Sequence, residues 1–429
     1  MINKCFLSLN LRMVISLLFV SSGTLSVVTC SSSDIPTESS AVPSIVSGTV
    51  FESVVEYDAG ENPLGITLGD LNGDNKNDIL VTSPRKQDGI STTADGSMTL
   101  FLNNSSSTSS FPFSSSTISP VTADWRQDVI SADFTGDNKT DLVVTQTDQD
   151  KIKLLRNDGN ANFTDNGSLT VGDVPIKLIS GDWNSDNQID LIVVNRDSSS
   201  ISILQNSNGV FSVSQTLSVS EHPIQVASAD WDGDNDTDLA VLSKESTLVQ
   251  IWLNSGSGIF SAQSNTYTVG SLPIDMISGD WNCDSNQDLA VSNFGDSTLS
   301  LIYGNGTGNF DSPLTISTRS GPRTMVAADF DNDSKMDFVV GHKFLVSTSG
   351  SALITGDFSL TLSDNGSSTG YVTPVSFAAS LDKGGAAPAD LAISYVDNDS
   401  KLDLLITLPF SKKIALLSGK QYYGNLSCP

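Results

Sequence analysis

Seven related acidic segments recur along the chain: "GDLNGDNKNDILV", "ADFTGDNKTDLVV", "GDWNSDNQIDLIV", "ADWDGDNDTDLAV", "GDWNCDSNQDLAV", "ADFDNDSKMDFVV" and, more loosely, "SYVDNDSKLDLLI". Their first positions are Asp70, Asp133, Asp182, Asp230, Asp280, Asp329 and Tyr395, so four successive steps are 48 to 50 residues and two are longer. A period of that size marks a repeat array, in which each unit buries its apolar face only against its neighbours. The 429 residues therefore need not divide into two or three ordinary domains.

Two further columns keep the same register. Seven positions before the first acidic position stand Pro63, Pro175, Pro223, Pro273, Pro322 and Pro388, with Arg126 the exception. About nineteen before it stand Phe51, Phe113, Phe163, Phe211, Phe260, Phe310 and Phe377. Each unit thus has four parts: a Phe-led stretch such as "FSVSQTLSV", a segment such as "IQVASAD" entering the acidic loop, "DLAVL" leaving it, and "LVQIWLN" after a polar turn. All have strand length and β-rich composition, with turn residues at their borders. Four short antiparallel strands per unit describe the blades of a β-propeller. The last copy ends one strand short after "KKIALLSG", and the first begins with an extra strand, "TVFESVVEY". The expectation is an all-β, seven-bladed β-propeller over residues 48–429, closed by an N-terminal strand that completes the last blade.

Between its strands, the acidic segment becomes a loop that crowds carboxylates together. Oxygens at loop positions 1, 3, 5 and 9, with a carbonyl at 7, supply about the oxygen count of a calcium site. Without a cation the carboxylates repel by about 1 kcal/mol per pair even at a water-like dielectric. The candidate ligands are Asp70, Asn72, Asp74 and Asp78 in loop one; Asp133, Thr135, Asp137 and Asp141 in loop two; and Asp182, Asn184, Asp186 and Asp190 in loop three. They continue with Asp230, Asp232, Asp234 and Asp238 in loop four and Asp280, Asn282, Asp284 and Asp288 in loop five. Loop six offers Asp329, Asp331, Asp333 and Asp337, and loop seven only Asp397, Asp399 and Asp403. The EF-hand alternative needs a Glu at position 12, where Val81, Val144, Val193, Val241, Val291, Val340 and Ile406 stand. A net charge of -27 also favours cations and disfavours nucleic acid as a partner.

With these loops, and with "NGTGNF" and "NSGSGIF" before the Phe column, the sequence resembles the FG-GAP/VCBS repeat family over roughly residues 48 to 425. That family includes the calcium-binding propeller of integrin alpha subunits, and the resemblance implies up to six or seven structural calcium ions. The family's Gly at position 6 is replaced here by Asn75, Asn138, Asn187, Asn235, Ser285, Ser334 and Ser400. Asn tolerates the left-handed conformation, and Ser does so less well.

Other readings compete with these. Asp and Asn in turns often only cap the backbone. Trp183, Trp231 and Trp281 at position 2 could stack on sugar, but Leu71, Phe134 and Phe330 share their column, which favours packing between blades. The prolines read as strand starters. His222 and His342, the two histidines, lie in different units, and no HExxH, GxSxG or phosphate-cradling loop occurs. The chain reads as a non-enzyme.

At the N-terminus, Lys4 and Arg12 precede a short apolar stretch, Met13–Val20, and "LSVVTC" then leads to Cys30. Residues 1–30 resemble a bacterial lipoprotein signal with Cys30 as the lipidated residue, although Val27, Val28 and Thr29 depart from the usual box. Residues 31–47 form a Ser-rich tether. Export to the cell surface or outer membrane as a lipoprotein follows, or otherwise secretion. Cys283 and Cys428 could form one bridge, which spacing alone does not decide. The full expectation is a monomeric surface binding or adhesion module for a protein or matrix ligand, with a glycan ligand as the alternative and a lyase or hydrolase after that. Its recognition residues would be Arg196, Asp197, His222, Lys244, Glu245 and Phe294, on the face opposite the acidic loops.

Overall fold

The run that follows each acidic loop is apolar without alternation, as in Leu239, Ala240, Val241 and Leu242, and all four side chains are fully buried. Such a strand is covered on both faces, which requires a neighbouring sheet on each side. In the computed structural model the described residues are 16–21, 24–29, 51–83, 97–104, 113–118, 128–329, 336–342, 357–361, 375–377, 388–396, 401–409 and 412–419. The chain divides into two units, Met1–Gly48 and Thr49–Pro429. Within the first, Ser16–Ser21 pairs antiparallel with Thr24–Thr29; Cys30 and the 31–47 segment lie outside the described residues. No helix among the described residues is long and apolar enough to cross a membrane.

The second unit is built of four-stranded antiparallel sheets in simple up-and-down order. Blade four shows the plan: Pro223–Ala229, Asp238–Ser243, Leu248–Asn254 and Phe260–Thr268, with each strand paired to the next. Burial falls outward. The second strand is buried throughout, whereas the fourth strand of blade three, Val210–Ser218, is mostly exposed or half-buried. Pro175, Pro223, Pro273 and Pro322 each open an inner strand, and the register shifts just after each of them. A missing N–H is tolerated at that place.

The expectation of a seven-bladed ring closed by its N-terminal strand is corrected to six blades of four consecutive strands and one composite sheet. The composite sheet runs Leu391–Ser394, Asp403–Leu408, Lys413–Gly419 and Phe51–Asp58. There Phe51–Asp58 pairs only with Lys413–Gly419, so no strand ladder crosses to the first blade. Strand hydrogen bonds run within a sheet, and joining two sheets falls to side chains between their faces. Ile66, Ile79 and Phe101 of blade one share a core cluster with Leu405, Ile414 and Leu416 of the composite sheet. Tyr57 meets Phe101 and Phe113 edge-on at 5.9 and 5.5 Å.

Every other core cluster among the described residues likewise straddles two neighbouring blades. Trp231, Leu242 and Ile251 of blade four pack with Met276, Leu289, Val291 and Phe310 of blade five. The Phe column has a physical role here: at two of the joins the Phe of one blade lies on the position-2 aromatic of the blade before it. Phe310 meets Trp231 at 5.9 Å and Phe211 meets Phe134 at 5.8 Å between ring centroids. Trp183, Trp231 and Trp281 are all buried, at 3%, 1% and 5% exposure, which makes them packing residues.

Trp231→Ala should therefore cost about 3–5 kcal/mol, the range for deleting a buried aromatic. Val210→Ala, at a side chain 70% exposed on an outer strand, should change stability by about 0.5 kcal/mol or less. Denaturant unfolding of the two variants measures the difference, and equal costs would contradict packing between blades as the source of stability.

Candidate metal-binding loops

Each of the five acidic loops described throughout joins the first and second strands of its sheet and turns on two left-handed residues. At position 6 these are Asn75, Asn138, Asn187, Asn235 and Ser285, with φ between 60° and 69°. At position 4 they are Gly73, Gly136, Ser185, Gly233 and Cys283, with φ between 59° and 80°. The resulting curl points amide groups at the first carboxylate. Asp230 Oδ1 accepts from Gly233 N at 2.7 Å, and its Oδ2 accepts from Asn235 N at 2.9 Å. Asp70 and Asp133 each accept from the amides at positions 4, 5 and 6.

The ninth position opens the second strand and is buried: Asp78, Asp141, Asp190, Asp238 and Asp288 are at most 1% exposed. Each carboxylate bridges the start of its loop to the end of the third strand. Asp238 Oδ2 accepts from Trp231 N at 3.0 Å, and its Oδ1 accepts from Asn254 N at 2.8 Å. The same pair of bonds recurs at Asp78, Asp190 and Asp288, and Asp141 differs only in taking its loop bond from Thr135 N at position 3. None of these five has an ion-pair partner among the described residues. Burial pushes Asp190 and Asp238 up to about 6 and Asp288 up to about 7, against the pull of their amide bonds.

A tie between blades was not read from the sequence. The Asn that ends the third strand, Asn103, Asn157, Asn206 or Asn254, sends its amide group to two carbonyls at once. One belongs to its own loop and the other to position 2 of the preceding sheet's loop. Asn206 Nδ2 donates to Ile189 O and to Phe134 O, both at 2.9 Å. The recurrence of Asn in "LFLN", "LLRN", "ILQN" and "IWLN" is the signal that could have revealed it.

The ligand sets converge unequally. Carboxylate oxygens of Asp230, Asp232 and Asp238 lie within 4.8 Å of one another, as do those of Asp133, Asp137 and Asp141. Asp234 does not join the first group; its Oδ1 accepts from Asp236 N at 2.9 Å. Burial, then the neighbouring charge of Asp234, raises Asp232 above the ordinary carboxylate range. In loops three and five, Asn184 and Asn282 donate to Asp186 and Asp284 at 3.1 Å. An all-oxygen, negatively charged set with buried and mutually repelling members fits a hard divalent cation such as calcium. Asp331, Asp333, Asp397 and Asp399 lie outside the described residues. Cys283 in loop five is disulfide-bonded, and the chain's other cysteines, Cys5, Cys30 and Cys428, lie outside the described residues.

The six recognition candidates stand in the connections at the other end of the strands. Arg196 and Asp197 follow the second strand of blade three, Lys244 and Glu245 that of blade four, and Phe294 that of blade five; His222 precedes the inner strand of blade four. Backbone bonds join these connections, Lys244 N to His222 O at 3.1 Å and Arg196 N to Val174 O at 3.0 Å. Arg196 Nε pairs with Asp197 Oδ1 at 2.6 Å. His342 is instead buried at the end of the second strand of blade six, and burial lowers it to about 4.

Near the starts of the inner strands, Asp128, Lys177, Asp275 and Asp390 form a charged group. Lys177 Nζ lies 3.4 Å from Asp128 Oδ2. Each Asp accepts an amide from the next sheet: Asp128 from Leu178, Asp275 from Met325 and Asp390 from Ile66. With one ammonium among three carboxylates, Asp390 is pushed up to about 7, by desolvation first and by Asp128 and Asp275 against the pull of Lys177. An unfolded aspartate titrates near 3.9. The folded chain therefore binds more protons at this group between about 4 and 7, and its contribution falls as pH rises through that window. In chelator, the loss of stability between pH 5 and pH 8 should be smaller in Asp390→Asn than in the unsubstituted chain. Unfolding midpoints at the two pH values test this, and an equal or larger loss in the variant would contradict the assignment.

Comparison with known proteins agrees with the repeat and the fold. The model of the FG-GAP-like repeat matches residues 133–193, 182–241 and 280–340. Comparison with curated proteins gives no match. Among solved structures, BBS1N in complex with ARL6DN is similar with a TM-score of 0.58 at 10% identity, covering 89% of this chain and 99% of that one. Saccharomyces cerevisiae Sqt1 gives 0.54 at 11% identity, covering 85% and 97%. A Lactobacillus plantarum protein gives 0.53 at 12% identity, covering 74% and 85%. At such identities the likeness is one of fold. The three matched segments, each running from the start of one acidic loop through the strand that leaves the next, support FG-GAP-like repeats in this chain.

Proposed function

We propose that the chain is an exported, calcium-stabilised propeller that presents a binding surface for a protein or matrix ligand on the face opposite its acidic loops. The observation that carries this reading is the division of labour between the two ends of the strands. One end repeats the same charged loop in sheet after sheet, under the constraint of convergent ligands. The other end carries unlike side chains, Arg196 and Asp197 in one blade, Lys244 and Glu245 in the next, and Phe294 after that. Connections free of a metal constraint can vary and carry recognition. One solved structure of similar fold is itself of a complex between two proteins. The buried Trp183, Trp231 and Trp281 leave no indole platform at position 2 for sugar, which favours a protein ligand over a glycan.

Export rests on Lys4, Arg12, the apolar Met13–Val20 stretch and Cys30, and lipidation of Cys30 would anchor the chain at a surface. Disulfide-bonded Cys283 fits an oxidising compartment. Incorporation of labelled palmitate in a bacterial host, lost in Cys30→Ser, supports the anchor, and no incorporation would refute it. Calcium would act structurally, held by protein oxygens. The two histidines do not assemble a general-base site, with His222 exposed and His342 buried in a different blade.

Calcium should raise the melting temperature of the 45–429 domain over that in chelator, with linkage of about 2.7 kcal/mol per site at a hundredfold excess over the dissociation constant. Asp232→Ala should remove part of that gain. Identical melting in calcium and chelator would refute the metal reading. Once a ligand is in hand, substituting Arg196 and Lys244 should weaken binding and leave calcium-dependent melting unchanged. Loss of binding only on substituting the acidic-loop face would place the recognition surface at the other end.

A further inference from the structure

The five loops described throughout differ in the cations that the chain itself brings to position 5. In loop four, Asp234 is followed by Asp236 at position 7, and no Lys or Arg pairs with the loop among the described residues. Loops three and five carry the uncharged Gln188 and Asn286 there, and in all five loops the backbone N–H of position 7 donates to the position-5 carboxylate. In loop one, Lys76 Nζ lies 3.7 Å from Asp74 Oδ2. Loop two has two cations on one oxygen: Lys139 Nζ at 3.7 Å from Asp137 Oδ2, and Arg156 Nη2 donating to it at 3.0 Å.

Arg156 reaches the loop from the third strand of its blade, one residue before Asn157. The equivalent residues in blades one, three, four and five are Leu102, Gln205, Leu253 and Tyr303, all uncharged. Loop two also has the hydroxyl of Thr135 at position 3, where loop four has a carboxylate. Loops two and four each have a cluster of three converging carboxylates, and of the two only loop two receives ion pairs among the described residues.

We propose that blade two supplies its own cation: Arg156, assisted by Lys139, neutralises Asp137, one of the three converging carboxylates of loop two, and makes loop two the weakest metal loop of the first five. This rests on the calcium reading above and deepens it. An exposed ion pair of this kind adds little to stability. Its force is competitive, because a unit cation repels a divalent ion twice as strongly as it repels another unit cation, and lower net ligand charge weakens calcium binding. Blade two would then keep its loop formed when calcium is scarce, giving the array a segment that does not depend on the metal.

Calcium binding measured by equilibrium dialysis and calorimetry tests this on the 45–429 chain. Arg156→Gln should bind about tenfold more tightly at one site, or hold one more ion at fixed free calcium. Arg156→Lys should stay near the unsubstituted chain, and Arg156→Gln with Asp137→Asn should return to its count. Circular dichroism in chelator checks that each variant is folded. Asp232→Asn is the reference, expected to lose one site in loop four. If Asp232→Asn loses a site and Arg156→Gln changes neither number nor affinity, the proposal is overturned. If the unsubstituted chain binds no calcium, the calcium reading itself falls, and the proposal with it.

Discussion

A buried aspartate at the head of each second strand is the interaction on which the other features depend. Asp238 accepts one amide from the entry of its own loop and another from the end of the third strand. It thereby fixes three strands of the sheet at one point. Asn254, whose amide it receives, in turn reaches the carbonyl of Trp183 in the preceding blade. A chain of hydrogen bonds therefore runs from carboxylate to backbone to the next sheet, and it recurs at Asp78, Asp141 and Asp190. Two amide bonds do not offset the full cost of burying an ionised carboxylate. Such a group keeps a proton or gains a cation.

The rest of the loop answers that need. Left-handed residues at positions 4 and 6 curl the backbone around the first carboxylate, and the third and ninth positions close on it in loop four. A divalent ion there would satisfy the buried charge and the crowded exposed ones together. Concentrating this requirement at one end of the strands leaves the other end free of it. There Arg196, Asp197, His222, Lys244 and Phe294 sit on connections held by backbone bonds, with side chains that need serve no common purpose.

Much of this was legible because it repeats. The Pro, Phe and Asp columns are spaced by the strands themselves, so their register shows four strands per unit and a loop between the first two. The left-handed residue at position 6 was legible through Asn, which tolerates that conformation. Ser185 and Cys283 at position 4 were not, because neither residue type advertises a positive φ. The Asn tie escaped notice because its second acceptor lies in another blade, 71 or 72 residues away for Asn254 and Asn206. Arg156 looks like one more polar residue on an alternating strand until its reach to Asp137 is seen. Lys177 and Asp390 are far apart in sequence, and only the arrangement of sheets brings their charges together. Closure by the N-terminal strand is the reading that the short last copy invites, but Phe51–Asp58 pairs only within the composite sheet, and packing among Tyr57, Phe101 and Leu416 joins that sheet to the first blade.

The central claim is that loop four holds a divalent cation between Asp230, Asp232 and Asp238. Anomalous diffraction from crystals of the 45–429 domain grown with calcium, or with a heavier lanthanide substitute, tests it most directly. The account predicts a peak with carboxylate oxygens of all three residues at about 2.3–2.6 Å for calcium. Well-ordered density for the loop with water alone among the three carboxylates, at saturating calcium, would contradict it.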